Sequence, residues 1–148
     1  YAVFYTDKYI LLKTILCVKC RGMEIVMDEY KKKILENAGI DMDEVLERFM
    51  GNTGLMDKFF SKFLNDMNYT KLNTAILCGD ASGAFLAAHT LKGLCGDLYF
   101  KDLGKIVCKQ TYLLKGGDME SATAIMPQVA QEYEKLSAAF KDCLPLAV

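Results

Sequence analysis

The sequence predicts an all-α fold with its helices packed antiparallel. Three observations carry this. Apolar residues recur at three- and four-residue spacing from Asp28 to near the C-terminus. Strand-like alternation competes nowhere after residue 28. Glycine and aspartate punctuate the periodic stretches at Gly39, Gly51, Gly79–Asp80 and Gly116–Gly117–Asp118, and turns this short favour antiparallel neighbours. At 148 residues the chain is long enough for one core. With 52% hydrophobic and 25% charged residues it reads as globular rather than disordered.

The elements follow in order. Asp28 to Asn37 reads as a short helix with Tyr30 and Ile34 inward, stopped near Gly39. Asp41 is the N-cap of the next, with Glu44 completing a capping box and Ile40 and Val45 a hydrophobic staple. That helix buries Val45, Leu46, Phe49 and Met50 and stops at Gly51. Thr53 to Asp66 sets Met56, Phe59, Phe60 and Phe63 on one side. Thr70 to Cys78 follows, closed by Gly79, and Asp80 caps a helix that runs to about Tyr99. Lys101 to Lys115 has Leu103, Ile106, Val107, Leu113 and Leu114 as its apolar positions. The last helix carries a near-heptad seam of Ala122, Ile125, Val129, Tyr133, Leu136 and Phe140, with a kink expected at Pro127.

The first 22 residues differ from the rest. They hold three tyrosines and the apolar run Tyr9–Val18, which is ten residues long, contains Lys13 and is too short to span a bilayer. No small-residue cleavage site follows, so a signal peptide is not indicated. The chain begins without methionine, and Met23 or Met27 would be a natural start for the domain proper. The segment reads as the tail of an upstream element or as an extra strand or helix. We therefore divide the chain into an N-terminal extension, residues 1–27, and a helical domain, residues 28–144.

His89 is the sole histidine, and it falls inside the helix that Asp80 caps. Each residue of an α-helix advances roughly 100°, so Lys92, Gly93 and Gly96 share a face with His89. Ala84, Ala88, Leu91, Cys95 and Leu98 form the opposite, core-facing stripe. A glycine inside a helix costs about 1 kcal/mol relative to alanine. Two within two turns of a titratable nucleophile indicate that another body must approach closely. The competing explanation is packing beneath a neighbouring helix, which would put the Lys92 ammonium in an apolar contact. Phe85 and Leu86 flank the same face one turn before His89, as an apolar docking patch or as burial under the N-terminal helices.

His89-Thr90-Leu91-Lys92-Gly93, with a further small residue at Gly96, resembles the signature of the histidine-containing phosphotransfer (HPt) domain. The resemblance extends from about Asp28 to Cys143 and takes in the Gly79–Asp80 turn, Leu103 and the Gly117–Asp118 turn. Tyr99 departs from it, since the family often has glycine there, and Cys95 is a mild change from serine or alanine. The resemblance implies an antiparallel four-helix bundle with additional short N-terminal helices. It implies a phosphorelay intermediate that acts as a phosphocarrier without kinase activity of its own. His89 would be the phosphoacceptor, taking a phosphoryl group from a receiver-domain aspartyl phosphate and passing it to another receiver. Lys92 would balance charge on the transferred group, and Gly93, Gly96, Phe85 and Leu86 would meet the partner. Partners would be response-regulator receiver domains, and a hybrid sensor kinase where one supplies the donor. The chain itself would need no cofactor and no metal, the Mg²⁺ belonging to the receiver.

Other classes fit less well. A sensor-kinase phosphoacceptor helix typically reads His-Glu with a nearby proline, whereas Thr90 follows His89 and no Gly-rich ATP-lid motif is present. Cys17-Val18-Lys19-Cys20 is a single CxxC with no second pair, weak grounds for a metal or redox module. A module that binds receivers without transfer need not keep both His89 and Lys92. The net charge of −1 advertises no basic face, which argues against nucleic acid. Cys78, Cys95, Cys108 and Cys143 sit at apolar helical positions, which points to free thiols and a reducing, cytoplasmic compartment.

Overall fold

The computed structural model describes residues 22–144, with side chains from residue 29 onward. Every element among them is helical: α1 Gly22–Asn37, α2 Met42–Arg48, α3 Thr53–Leu64, α4 Asn68–Leu77, α5 Ala81–Asp97, α6 Lys101–Lys115 and α7 Met119–Cys143. None of these helices is long and apolar enough to cross a membrane. The chain divides into two compact units at Lys33/Ile34, so the end of α1 belongs with the helices that follow. The CxxC of Cys17 and Cys20, and the apolar run before it, lie outside the described residues.

In the second unit α4 packs on α5, α5 on α6 and α6 on α7, while α7 also meets α3 and α4. The centres of the stripes that periodicity marks are buried, whereas Leu46, Phe59, Ile106, Leu113 and Tyr133 at their edges are only partly so. On α5 the buried positions are Ala84, Ala88, Leu91 and Cys95, with Leu98 just after, and on α7 they are Ala122, Ile125, Val129, Leu136 and Phe140. Four side chains cap helix N-termini. Asp41 accepts from Glu44 N at 3.2 Å, Asn52 from Leu55 N at 3.0 Å, Asp80 from Gly83 N at 2.9 Å and Asp118 from Ser121 N at 3.0 Å. The Glu44 carboxylate engages Lys101 Nζ at 2.7 Å, tying the start of α6 to α2. An aromatic cluster joins α3, the start of α6 and α7. Phe60 stacks on Phe140 at 4.4 Å, and Phe63 meets Phe100 edge-on at 5.0 Å. Such pairs are worth about 0.5–1.5 kcal/mol beyond the area they bury.

The helix ends share one device. After α1, α2, α4, α5 and α6 a residue in the left-handed region is followed by an N–H that reaches back to the carbonyl five residues earlier. Gly39, Gly79 and Gly117 serve three of these ends, but Met50 (φ 51°) and Tyr99 (φ 57°) serve the other two. A side chain in this region costs roughly 1–2 kcal/mol. Tyr99 thus occupies a position where glycine would be easiest to accommodate.

Several expectations need correction. α1 begins at Gly22, six residues ahead of Asp28, and Tyr30 is 45% exposed rather than inward, with Leu35 buried in its place. Met50 is 91% exposed, because its left-handed backbone swings the side chain off the α2 stripe. Cys78 and Cys108 are exposed free thiols, whereas Cys95 and Cys143 are buried. α7 continues through Pro127, which lies on its exposed side.

Candidate functional site

The site is built on α5. Asp80 fixes its start, and the glycine at 83 makes room for that cap, because a Cβ there would run into the Asp80 carboxylate. Alanines at 84, 87 and 88 are buried, so α5 seats on its neighbours through small side chains. His89 is exposed near the middle of the helix. Thr90 is exposed too, but its hydroxyl donates to the Leu86 carbonyl at 2.9 Å, a bond internal to the helix.

Lys92 is half-buried one turn beyond His89. Gly93 and Gly96 are exposed, and a Cβ added at either would meet no atom within 4 Å. Packing beneath a neighbouring helix therefore does not account for these two glycines. On the other side of the imidazole the Phe85 ring lies 5.9 Å away, tilted by 41°. The ridge thus runs from an aromatic ring, through the imidazole and the lysine, to open backbone.

Phe85 and Leu86 do not form one patch. Phe85 is half-buried and lines a cleft of about 270 Å³ with Ala81, Ser82, Leu114 and Lys115, against α6. Leu86 is 67% exposed and belongs to a broader groove of about 650 Å³ between α4 and α5. Thr74, Cys78, Asp80 and Thr90 are among its lining residues. Adjacent residues on a helix are about 100° apart, enough to send them to opposite flanks.

Perturbed titrations lie away from the ridge. The Cys95 thiol, on the buried side of α5, is pushed up to about 12, chiefly by burial, with the Asp66 charge adding to it. Burial likewise raises Tyr133, whose ring stacks on Tyr69 at 4.1 Å and lies tilted against Phe63 at 5.0 Å. Buried Cys95 is inert as a nucleophile, whereas the His89 imidazole on the same helix is exposed.

The polar interior has one feature that periodicity misses. Gln110 is fully buried on α6, and its amide donates to the Ala122 carbonyl at 3.0 Å and approaches Met126 Sδ at 3.2 Å. It pins α6 to α7 and takes no part in the ridge. Among the described residues, no cluster of three or more His, Cys, Asp or Glu side chains is arranged to hold a metal ion. Comparison with protein-family models, with curated proteins and with solved structures returns no match for this chain.

Proposed function

We propose that this chain is a phosphorelay intermediate of the HPt kind, with α4 to α7 forming an antiparallel four-helix bundle and His89 carrying the phosphoryl group. One observation supports this above the rest. The sole histidine stands exposed at mid-helix, on a face whose two glycines are open to a second body, with a lysine one turn away.

The chemistry asks little of the chain. A neutral imidazole nitrogen of His89 attacks the phosphorus of a receiver's aspartyl phosphate in line. The N–P bond forms as the P–O bond to the aspartate breaks, the carboxylate leaves, and the imidazole proton passes to solvent. Lys92 offers its ammonium to the equatorial oxygens, whose charge must be balanced in the transition state. Mg²⁺ stays with the receiver. Transfer to a second receiver runs the same step backwards.

The test is phosphoryl labelling from a phosphorylated receiver domain or a small phosphodonor such as phosphoramidate. The adduct should be acid-labile and stable in base. His89→Gln should abolish labelling and leave helicity and the melting curve unchanged, because the side chain is exposed. Labelling that survives the substitution would refute the assignment.

A further inference from the structure

The flank of α5 on which Lys92 sits adjoins a basic helix. From Asn68 to Gly117 the sequence holds six lysines and three aspartates, with no glutamate and no arginine, while the whole chain is net −1. Two of those aspartates are engaged, Asp80 as a cap and Asp102 4.0 Å from Lys105. Lys101 answers to Glu44 and Asp41. Lys92, Lys109 and Lys115 have no carboxylate in ion-pair range among the described residues. The overall charge of the sequence hides this division.

Two contacts fix how α5 and α6 lie together. A Cβ at Gly104 would sit 3.4 Å from the Cys95 Cβ, and Phe85 shares a cleft with Leu114 and Lys115. The helices are therefore antiparallel, and the turn that bears His89 lies level with the turn that bears Tyr112. Tyr112 is 79% exposed, and Lys105, Cys108, Lys109 and Lys115 are exposed around it. A largely exposed tyrosine flanked by the unpaired Lys109 and Lys115, on the helix beside His89, has the composition of an interface hot spot with a charged rim.

We propose that the phosphotransfer partner docks across α5 and α6 together, presenting an acidic face to Lys109 and Lys115, with Tyr112 as its anchor. This rests on the phosphotransfer reading of His89. A face that bears an aspartyl phosphate carries that group's negative charge, and rim charges of the opposite sign speed association and make it salt-dependent.

The experiment uses the full chain and a panel of receiver domains from the same organism, each loaded with acetyl phosphate. The fastest donor is taken into single-turnover transfer at varied receiver concentration and salt. Lys109→Glu combined with Lys115→Glu should raise the half-saturating receiver concentration about tenfold. The limiting rate should hold, and the salt dependence of transfer should shrink. Tyr112→Ala should raise half-saturation with its salt dependence intact. Labelling of His89 by phosphoramidate should be the same in all variants, since a small donor needs no docking face. Unchanged half-saturation in both variants overturns the proposal, as does an equal loss from Lys62→Glu with Lys141→Glu on α3 and α7, or a panel in which no receiver transfers. Duplex oligonucleotide binding that the α6 reversal abolishes while transfer is untouched would assign the lysines to nucleic acid instead. If phosphoramidate fails to label wild-type His89, the phosphotransfer reading itself falls, a result distinct from every docking failure.

Discussion

Gly93 and Gly96 offer the sharpest test of the ridge, because stability and transfer should move in opposite directions. Gly93 lies in the interior of α5, and Gly96 is one residue from its end at Asp97. A methyl group at either position meets open space. The helix-propensity gain of Gly→Ala is therefore unopposed. It is about 1 kcal/mol for Gly93 and roughly half that for Gly96, where the helix is ending. In a domain of this size each kcal/mol shifts the melting temperature by about 2–4 °C. Gly93→Ala should thus melt higher by a few degrees, Gly96→Ala by less, and the double variant by about their sum. Gln at either position adds helix propensity over glycine too, so it should not destabilise, yet it should block transfer from a receiver while leaving phosphoramidate labelling of His89 intact. The assay is a thermal melt by circular dichroism paired with single-turnover transfer. A Gly93→Ala or Gly96→Ala protein that melts lower than wild type would mean that this face is covered, and His89 could not then be an open acceptor.

Three further outcomes are expected. Lys92→Ala should slow transfer or shorten the life of the phosphohistidine while costing no more than about 0.5 kcal/mol of stability; equal rates in both proteins remove Lys92 from the site. Met50→Gly should stabilise by about 1 kcal/mol, since a 91% exposed side chain in the left-handed region has little packing to lose; a lower urea midpoint would show that the Met50 side chain does make contacts. Cys78 and Cys108 should react with a maleimide in the folded protein while Cys95 and Cys143 stay protected, read by peptide mapping. Because Cys95 titrates higher folded than unfolded, its contribution to stability is full below its ordinary value of 9.0 and is lost as pH rises toward about 12. Cys95→Ala should flatten that alkaline fall, and an unchanged slope would place it on other groups.

The helices and their inward stripes were legible in the sequence because each is a local property. Ala84 to Leu98 on α5 and Ala122 to Phe140 on α7 could be read from spacing alone, as could the caps Asp41 and Asp80. Periodicity does not say where a stripe ends, because the edge is drawn by the neighbouring helix. Phe85 and Leu86 look alike in sequence, yet one faces α6 and the other the α4 groove. Cys78 and Cys108 occupy positions that a wider stripe would have buried. Met50 fails for another reason, since its place is decided by one left-handed dihedral at the end of α2. Phe100 looks like a linker residue and becomes core, 2% exposed, because the short turn between α5 and α6 drives its ring into the cluster of Phe60, Phe63 and Phe140. At the candidate site the exposed His89 ridge was readable, but the lysine-rich flank on α6 was not. It depends on α5 and α6 being antiparallel neighbours, and residues such as Lys92 and Lys115 are far apart in the chain.

The construction of α5 gives a physical reason for the His89 imidazole to stand where it does. Its inward side is made of alanines, which lets flanking helices close in on it. Its outward side, past the imidazole, has glycines where other helices carry long polar chains. A helix thinned on both sides leaves the imidazole projecting from its ridge. Phe85 closes the N-terminal side of the ring at 5.9 Å, so the open approach is from the C-terminal side, over Gly93 and Gly96. Lys92 stands beside that approach. A phosphoryl group arriving along it would meet the ammonium and the imidazole together, and catalysis that consists mainly of positioning and charge balance needs little more from this partner. The strain carried at Tyr99 fits the same economy. It ends α5 two residues beyond Asp97 and turns the chain into α6, which brings the lysine-rich helix alongside the face that His89 presents.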